Sequence, residues 1–487
     1  MKIALVASEI TPFAKTGGLA DVVGTLSLAL ERIGHELCLI MPAYRETLRG
    51  GFALTDTALK LSVPISDHEE PAGVMQTTVG QNISVYLVRA DRYFDREFLY
   101  GTNQGDYHDN IGRFVFFSRS ALEILRHKAV DIIHCHDWQT ALIPVFLKAQ
   151  RSRYPELASA RSILTVHNLG FQGVFWRLDW HLLNLDDALF TPRYLEFYEN
   201  FNLLKGGLIF ADKITTVSPT YAKEIMGIEQ GFGLQGVLQS RSDDLTGILN
   251  GVDYSQWNPA VDPLIAQKYT DQDLAGKAIC KESLQQSLGL PVKPDVPLIG
   301  IISRLTSQKG LDLVERIFGA LLQRNLQFVL LGSGETRYED FFSRAAARFP
   351  DQVAVRLGFD EPLAHRIEAG ADIFLMPSLY EPCGLNQMFS LKYGTIPIVR
   401  AVGGLKDTVD DYDAATSTGT GFVFGSYEAE ELLKTIDRSL QLFPDKDAWT
   451  ALQRRAMSMD FSWDRSAQAY SDLFGRLMAS TEEKEAR

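Results

Sequence analysis

One short segment near the start of the chain combines a lysine with two adjacent glycines. Residues 15–21 read KTGGLAD and stand between a short apolar run and a segment of helical period at residues 21–31. Gly17 and Gly18 would let the backbone approach a ligand closely, and the amides of a helix N-terminus favour an anion. Lys15 adds a positive charge at the same place. The segment could bind a phosphate, or it could be an ordinary glycine-rich turn.

A second segment, residues 303–310 (SRLTSQKG), carries two cations directly after another apolar run. Arg304 could make paired hydrogen bonds to phosphate oxygens, while Lys309 supplies a compact charge. The pair suits a diphosphate. A solvated basic turn would have the same composition, so that alternative stays open.

A third segment, residues 377–385 (PSLYEPCGL), holds a glutamate between an apolar run and a Pro-Cys-Gly turn. Glu381 in this position could accept hydrogen bonds from sugar hydroxyls or stabilise a developing positive charge. Gly384 and Leu385 are expected to begin a helix whose amides could face phosphate. A lone exposed carboxylate is the alternative.

Histidines end two further apolar runs. Residues 134–138 (HCHDW) contain three types of metal ligand, but neighbouring residues after a strand point in opposite directions and no cysteine-rich partner exists, so metal is not expected. His136 or Asp137 could reach a ligand instead, with Trp138 as apolar support. His167, in the run VHNLG, could do the same or be an ordinary core histidine. The sequence has no GxSxG elbow and no P-loop.

These candidate residues follow apolar runs that alternate with segments of helical period. Continuous apolar strands separated by helices indicate parallel sheets covered on both faces. Two such series predict two doubly wound domains, whose ligands bind at the carboxyl ends of the strands. The predicted strands are residues 3–7, 36–40, 83–88, 130–134, 162–166 and 213–217 in the first half, and 298–302, 327–331, 353–357, 373–376 and 396–399 in the second.

Turn-forming residues at 243–263 mark the expected boundary between the domains. The sequence predicts a Rossmann-like domain at residues 1–245, a second at 246–462, and a C-terminal helix at 463–487 that packs back towards the first. A deep cleft between facing domains could exclude water from a transfer reaction.

The composition is that of a soluble globular protein, with 487 residues, 46% hydrophobic and 22% charged. A net charge of −13 argues against nucleic-acid binding. Four scattered cysteines suggest a reducing compartment, and the sequence shows no signal peptide or apolar stretch of membrane-spanning length. We therefore expect no membrane association and a cytoplasmic protein, or one in the plastid stroma if a transit peptide has been removed.

Taken together, the motifs resemble the bacterial glycogen synthase and plant starch synthase family, which has the GT-B fold of two Rossmann-like domains. The similarity runs over essentially the whole chain and is highly specific in its order and spacing. It is carried by KTGGLADVVG (15–24), HDW (136–138), VHNL (166–169), ILNGVD (248–253), SRLTSQKGLDL (303–313), PSLYEPCGLNQ (377–387) and GGLKDTV (403–409).

The resemblance implies a glycosyltransferase that moves glucose from ADP-glucose to the non-reducing end of an α-1,4-glucan with retention of configuration. The first domain would be the acceptor side and the second the nucleotide-sugar side. The implied catalytic residues are Asp137, His167, Arg304, Lys309 and Glu381. The implied substrate-binding residues are Lys15, Gly17, Gly18, Asp21, Asn168, Asn250, Phe359, Cys383, Gly384 and Leu385.

Within this set, the resemblance assigns the nucleotide diphosphate to Lys15, Arg304 and Lys309. Asp137 and His167 would meet the glucosyl unit, with Asn250 close to the sugar. Phe359 stands where family members often carry a tyrosine stacked on adenine. No residue is an obvious β-face nucleophile, so a front-face path is favoured, in which the leaving diphosphate oxygen helps deprotonate the acceptor hydroxyl. Arg304, Lys309 and helix N-termini would stabilise the leaving-group charge, so no metal is expected, and neither is pyridoxal phosphate.

The acceptor side is less clearly marked. Residues 90–109 hold five aromatic residues, which could stack on sugars or be buried by the loop itself. Alternative functions are a sucrose synthase-like transferase, a phosphorylase that needs a Schiff-base lysine, and a catalytically silent glucan-binding scaffold. The sequence leaves the oligomeric state open.

Overall fold

The computed structural model describes residues 1–102 and 104–485, which form two compact units. The first comprises Met1–Val217, Ala222–Gly251 and the C-terminal segment from Trp463, and the second comprises Ser218–Tyr221 and Val252–Ser462. The division follows Gly251, whereas the sequence placed it after residue 245, so Asn250 belongs to the first unit. Residues 486–487 of the expected C-terminal helix, and residue 103 of the aromatic segment, lie outside the described residues.

The described strands are numbered in chain order. They are β1 (Lys2–Val6), β2 (Glu36–Pro42), β3 (Thr55–Ile65), β4 (His68–Val79), β5 (Ile83–Arg89), β6 (Gly101–Thr102), β7 (Gly105–Asp106), β8 (Ile132–His136), β9 (Arg161–Val166), β10 (Val174–Phe175), β11 (Glu196–Phe197), β12 (Asn200–Asn202), β13 (Lys213–Thr216), β14 (Leu245–Gly247), β15 (Leu298–Ile302), β16 (Gln327–Gly332), β17 (Val353–Leu357), β18 (Ile373–Met376), β19 (Ile396–Arg400) and β20 (Phe422–Phe424).

The described α-helices are numbered in the same way. They are α1 (Gly18–Arg32), α2 (Arg45–Arg49), α3 (Asp91–Phe94), α4 (Asn110–Leu125), α5 (Leu142–Ala149), α6 (Leu203–Phe210), α7 (Pro219–Glu224), α8 (Gln235–Ser240), α9 (Ala275–Ser287), α10 (Leu311–Leu321), α11 (Thr336–Arg348), α12 (Glu361–Gly370), α13 (Asn386–Lys392), α14 (Gly403–Thr408), α15 (Ala429–Leu442), α16 (Lys446–Ser458) and α17 (Trp463–Glu485). Short 3-10 helices lie at Arg151–Arg153, Pro155–Leu157, Arg177–Leu183, Asp187–Leu189, Ser242–Asp244 and Ser307–Lys309.

The first unit is built on a nine-stranded sheet in the order β14-β13-β9-β8-β1-β2-β5-β4-β3. The strands from β14 to β5 are parallel, but β4 pairs antiparallel with both β5 and β3. The strands predicted for this unit are therefore all parallel, and β3 and β4, which were not predicted, add an antiparallel edge. The two long edge strands expose alternate residues, which is typical of an antiparallel pair with one solvated face rather than of a doubly covered strand.

The second unit is built on a parallel sheet in the order β17-β16-β15-β18-β19-β20. Relabelled by position within the unit, this is the 3-2-1-4-5-6 order of a doubly wound dinucleotide-binding sheet. The order reverses between β15 and β18, so the loops after these two strands diverge and leave a crevice at the carboxyl edge. The first unit has the same reversal between β1 and β8.

The C-terminal helix packs on the first unit, as the sequence predicted. Arg32 at the end of α1 donates a 2.7 Å hydrogen bond to Asp464, and His35 Nε2 lies 2.8 Å from Ser471 Oγ. A side chain at Gly251 would collide with Trp463, where α17 begins. No helix of the described residues is long and apolar enough to cross a membrane.

Candidate active site

The loops after β15 and β18 together line a pocket of about 180 Å³ in the second unit. This is the position at which a doubly wound sheet binds its ligand. The structure therefore brings together residues from two separate sequence motifs. They are Ser303, Arg304 and Lys309 from the first loop, and Ser378, Glu381, Gly384, Leu385 and Asn386 from the second.

Glu381 and Lys309, predicted as two separate ligand-binding groups, contact each other in this pocket. Lys309 Nζ lies 2.7 Å from Glu381 Oε2 and 3.0 Å from Oε1. Ser378 Oγ donates to the same carboxylate at 2.9 Å. Glu381 is thus held by three hydrogen bonds and is not the lone exposed carboxylate that the sequence also allowed.

Arg304 is the other cation of the pocket. Its side chain is exposed, and it forms no ion pair with any residue in the described part of the chain. With Lys309 compensated by Glu381, Arg304 gives the pocket a net charge of about +1. The pocket therefore suits an anion although the whole chain is acidic.

Glycines join the two loops of this pocket to each other and to the next loop of the sheet. Gly310 has a φ of 72° and its Cα faces the Pro377 carbonyl, so any side chain there would collide with it. Gly404 N donates to the carbonyls of Glu381 and Pro382 at 3.2 Å, and a side chain at Gly404 would collide with Cys383 O. Backbone contact therefore fixes the Glu381 loop.

Other residues predicted for this unit have different surroundings. Cys383 is buried and does not line the pocket. The helix expected to begin at Gly384–Leu385 begins at Asn386, because Gly384 has a φ of 72°, outside the helical range. Phe359 follows β17 and is 86% exposed, so its ring is free to stack on a planar ligand.

In the first unit, Asp137 and His167 lie together at the carboxyl ends of β8 and β9. His167 N donates a 2.7 Å hydrogen bond to Asp137 Oδ1, and Asn168 N also donates to this carboxylate. Desolvation raises the pKa of Asp137 to about 7 against these hydrogen bonds. Asn168 itself accepts a hydrogen bond from Gly170 N at 2.9 Å through Oδ1.

Three histidines form a row behind this site. The strand predicted at 130–134 is in fact Ile132–His136, so His136 lies within β8 and not after it. His134 and His136 share one face of this strand, with ring centroids 4.2 Å apart. His136 Nδ1 lies 3.0 Å from His167 Nε2. Burial lowers the pKa of His134 and of His167 to about 3 and the pKa of His136 well below its ordinary value, so the row is uncharged at neutral pH.

The fully buried His136 does not reach a ligand, which corrects one of the two alternatives given for the HDW motif. His134 and His136 behave as core histidines. Among the described residues, no group of three or more His, Cys, Asp or Glu side chains could hold a metal ion.

The KTGG segment forms the loop between β1 and α1, at the switch point of the first sheet. The helix begins at Gly18, three residues earlier than the helical pattern suggested. Lys15 Nζ forms a 2.8 Å ion pair with Asp21, which also accepts a hydrogen bond from Thr11. A Cβ added to Gly17 or Gly18 would meet no other atom within 4 Å, so the chain's own packing does not require glycine there.

Sequence reasoning missed Glu9, which lies directly beneath this loop. Its buried carboxylate accepts hydrogen bonds from Thr16 N and, at 3.0 Å, from Thr16 Oγ1. Tyr100 OH donates to Glu9 Oε1 at 3.1 Å, and Ser8 Oγ lies 2.7 Å from the same hydroxyl. A polar residue two positions beyond the predicted end of strand 3–7 was the available signal.

The aromatic segment 90–109 mostly buries its own rings. Tyr93 and Phe94 are buried and Tyr100 is half-buried, whereas Phe98 is exposed and Tyr107 lines an open pocket of the first unit. Asn250, also in the first unit, is buried, and its Oδ1 has no hydrogen-bond partner among the described residues. An unpaired buried amide oxygen is costly without a ligand or water, which agrees with a binding role.

The comparisons with known proteins match this geometry over both units. A family model described as the starch synthase catalytic domain matches residues 2–240, and one described as glycosyl transferases group 1 matches residues 283–452. The glycogen synthase of Koribacter versatilis (strain Ellin345) is 48% identical over 476 residues, which cover 97% of this chain and 98% of that protein. The chain belongs to the glycogen and starch synthase family.

Further relatives agree with this membership. The glycogen synthase of Anaeromyxobacter sp. (strain Fw109-5) is 48% identical over 98% of this chain and 100% of its own length. A solved structure of the catalytic domain of starch synthase IV from Arabidopsis thaliana, bound to ADP and acarbose, superposes with a TM-score of 0.89 at 35% identity, covering 98% of this chain and 99% of that one. This member of the glycogen and starch synthase family is therefore a glycosyltransferase with the two-domain GT-B fold.

A more distant likeness shows the fold alone. Sucrose-phosphate synthase from Thermosynechococcus elongatus superposes with a TM-score of 0.61 at 19% identity. The family models and the relatives agree on the glycogen and starch synthase family. The alternatives of a phosphorylase and of a sucrose synthase-like transferase are therefore not favoured.

Proposed function

We propose that the enzyme transfers glucose from ADP-glucose to the non-reducing end of an α-1,4-glucan with retention of configuration. The observation that carries this proposal is the meeting of Arg304, Lys309 and Glu381 at the switch point of the second sheet. Cations and a sugar-binding carboxylate in one pocket suit a nucleotide sugar, whose diphosphate and hexose adjoin.

Arg304 and Lys309 would hold the diphosphate. The guanidinium of Arg304 can make paired hydrogen bonds to phosphate oxygens, and Lys309 supplies a point charge. In the first unit, a Cβ at Gly17 or Gly18 would meet no atom within 4 Å, and the N-terminus of α1 with Lys15 suits an anion, which supports phosphate binding by the KTGG loop. Gly384 and Leu385 line the pocket and complete the donor side.

Asp137, His167 and Asn168 would bind the glucosyl unit, with Asn250 as a further hydrogen-bonding group. Since His167 is uncharged at neutral pH, it acts as a hydrogen-bond donor or acceptor to a hydroxyl and not as a protonated acid. Its Nε2 already faces His136, so its Nδ1 is the atom left for the sugar.

Retention follows from attack on the face that the leaving group vacates. In this path the C1–O bond to the diphosphate breaks, the acceptor hydroxyl bonds to C1 on that face, and its proton passes to the departing diphosphate oxygen. Both carboxylates are already restrained: Glu381 accepts from Lys309 and Ser378, and Asp137 accepts from two backbone amides. These contacts support electrostatic roles rather than nucleophilic attack.

The reaction would need neither a metal ion nor pyridoxal phosphate, since Arg304 and Lys309 would stabilise the charge developing on the leaving group. Lys277 is a buried amine whose pKa burial lowers to about 8, the kind of group that can form a Schiff base. Its Nζ is instead committed to hydrogen bonds with Ala369 O, Tyr393 O and Thr395 Oγ1. Activity that persists in excess EDTA and after borohydride treatment is the expected result.

We propose the cytoplasm, or the plastid stroma, as the location. The support for it is that Cys38, Cys135, Cys280 and Cys383 are all free thiols, as expected in a reducing compartment.

The test is a radiolabelled transfer assay with ADP-glucose or UDP-glucose as donor and maltotriose or glycogen as acceptor. We expect incorporation from ADP-glucose, and incorporation from neither donor would overturn the proposal. Phe359→Ala provides a donor-specific comparison, because loss of a ring stacked on adenine should raise KM for ADP-glucose by about fivefold. Exposed Leu357→Ala, two residues away, is the matched control.

A further inference from the structure

The first unit carries a small antiparallel sheet, in the order β10-β12-β11, with large rings exposed around it. Tyr198, in the turn between β11 and β12, is 77% exposed, and Trp176, just after β10, is 61% exposed. Phe171 and Phe232 are also exposed, and both line the pocket that Phe175 of β10 lines. A cluster of exposed rings of this kind marks an interaction surface rather than ordinary surface composition.

The register of the sheet assigns these rings to one face. Phe175 pairs with Phe201, whose ring is fully buried, and Phe197 pairs with Asn200. Because side chains alternate along a strand, Trp176, Asn200 and Phe197 share the opposite face. With neighbouring strands about 4.8 Å apart, Trp176 and Phe197 flank Asn200 at a separation of roughly 10 Å.

The turn that presents Tyr198 is conformationally unfavourable. Tyr198 and Glu199 have φ values of 50° and 66°, a conformation that two-residue turns normally give to Asn and Gly. Phe232 has a φ of 46°. Aromatic residues rarely adopt this conformation, and such strain concentrates at functional sites. The Tyr198 ring packs edge-on against Phe197, with centroids 4.7 Å apart.

The hairpin borders the open pocket of the first unit, which Phe175 lines. A side chain at Gly233 would meet the Phe197 ring, so Phe232 lies beside the hairpin. Gln172 joins the two, accepting from Asn202 Nδ2 at 2.6 Å and donating to Phe232 O at 3.0 Å. The pocket, of about 460 Å³, is lined by Tyr107, Trp138, Phe171, Val174, Phe175 and Phe232, among others.

We propose that the hairpin face, defined as Trp176, Phe197, Tyr198, Asn200 and Phe232, binds glucosyl residues of the acceptor polymer beyond its reacting end. The inference rests on the proposed function. Flat rings separated by an amide suit sugar rings, which present apolar faces and hydroxyl edges. The three side chains shared by the outer face carry no charge, which suits a neutral polymer on a chain of net charge −13.

A glucan held on this face is tethered near the enzyme, so polymeric acceptors gain from an effective-concentration effect that short primers lack. Trp176 and Tyr198 do not line the pocket, and a trisaccharide held there does not depend on them. The face therefore favours long chains over short ones.

The test compares Trp176→Ala/Tyr198→Gly with a control, Ile279→Ala/Val292→Ala, which removes exposed apolar side chains without rings from the second unit. Mobility in native gels containing glycogen reports affinity without catalysis. We expect the first variant to bind glycogen at least about tenfold more weakly and the control to be unchanged. Because glycine suits the φ of residue 198, the Tm of the double variant should equal or exceed the Tm of Trp176→Ala alone.

Kinetics complete the test. KM for glycogen should rise about tenfold while KM for maltotriose changes less than twofold. The proposal would be overturned by unchanged mobility in glycogen gels or by equal changes in KM for glycogen and for maltotriose. A lower oligomeric state of the variant in light scattering would also overturn it, because it would assign the face to a second copy of the chain. If the wild type transfers glucose to no primer yet binds glycogen through this face, the proposed function fails and the binding surface stands.

Discussion

Lys309 Nζ lies 2.7 Å from Glu381 Oε2 in a pocket that also holds the exposed Arg304. The lysine proposed for the diphosphate is thus already paired with the carboxylate proposed for the sugar. A bound diphosphate must share this cation with Glu381, and the two groups are therefore coupled energetically. Removal of either one leaves the other mostly buried and uncompensated.

Lys309→Ala is expected to lower kcat/KM for the nucleotide sugar by about 10²–10³-fold, because a cation that stabilises leaving-group charge is lost. Glu381→Gln keeps the shape of the side chain and removes its charge. In the double variant the two effects should be less than additive, since each single change disturbs the same pair. Steady-state kinetics of the four proteins, with ADP affinity by calorimetry, measure the coupling. Strict additivity would contradict it.

Gly404→Ala is expected to abolish transfer while leaving the protein folded. The added methyl group would collide with Cys383 O and displace the backbone that carries Glu381. Gly319→Ala is the matched control, because its Cβ meets no atom within 4 Å, and in helix α10 the change should stabilise the protein by up to about 1 kcal/mol. Far-ultraviolet circular dichroism and transfer assays distinguish the outcomes, and normal activity of Gly404→Ala would show that the loop tolerates the shift.

The sequence predicted the parallel strands of both units well, because doubly covered strands form continuous apolar runs. It predicted neither β3 and β4, whose exposed alternate residues break that signal, nor the two-residue shift of β8. The shift matters chemically. It moves His136 from a loop into the core and leaves Asp137, with a φ of 56°, as the residue that follows the strand.

Arg304, Lys309 and Glu381 could be identified as candidates because each of their two motifs directly follows a strand and supplies a charged residue. What could not be predicted is which residues pair after folding. The Lys309–Glu381 pair joins residues 72 positions apart, and the Glu9–Tyr100 hydrogen bond spans 91. Such contacts depend on the order of strands in the sheet, which local composition does not specify.

Asp137→Asn should stabilise the protein more at pH 8 than at pH 4.5. Burial raises the pKa of Asp137 from 3.8 to about 7, so ionisation opposes folding. The free-energy cost of ionising Asp137 in the folded protein is absent below the unfolded-state pKa. It grows as the pH rises from 3.8 to about 7 and is constant above the folded-state pKa. Removing the charge should recover on the order of 2–4 kcal/mol at pH 8. Asparagine suits the positive φ of this position, so no new strain is expected.

Thermal unfolding of the wild type and of Asp137→Asn across this pH range measures the effect. A stability difference that does not grow with pH would show that Asp137 titrates normally. The same variant should lose most transfer activity at every pH if the carboxylate meets the glucosyl unit.

Glu9→Gln should loosen the KTGG loop without unfolding the first unit. A carboxylate can accept from Thr16 N, Thr16 Oγ1 and Tyr100 OH together, whereas the amide nitrogen of glutamine accepts nothing, so one side of the loop loses its acceptor. Faster hydrogen exchange at Thr16 and Gly17, and a KM for the nucleotide sugar raised by about tenfold with a smaller change in kcat, are the expected results.

The same substitution has a second, independent consequence. Glu9 is among the groups that raise the pKa of Asp137, because two buried carboxylates disfavour each other's ionisation. Removing the Glu9 charge should therefore shift the pH dependence of Asp137 to lower pH, in stability and in activity alike. Glu36→Gln, a change in an exposed carboxylate of the same unit that is not among the groups acting on Asp137, is the control. An unchanged pH profile in Glu9→Gln, together with unchanged exchange at Thr16, would show that Glu9 neither positions the loop nor acts on Asp137.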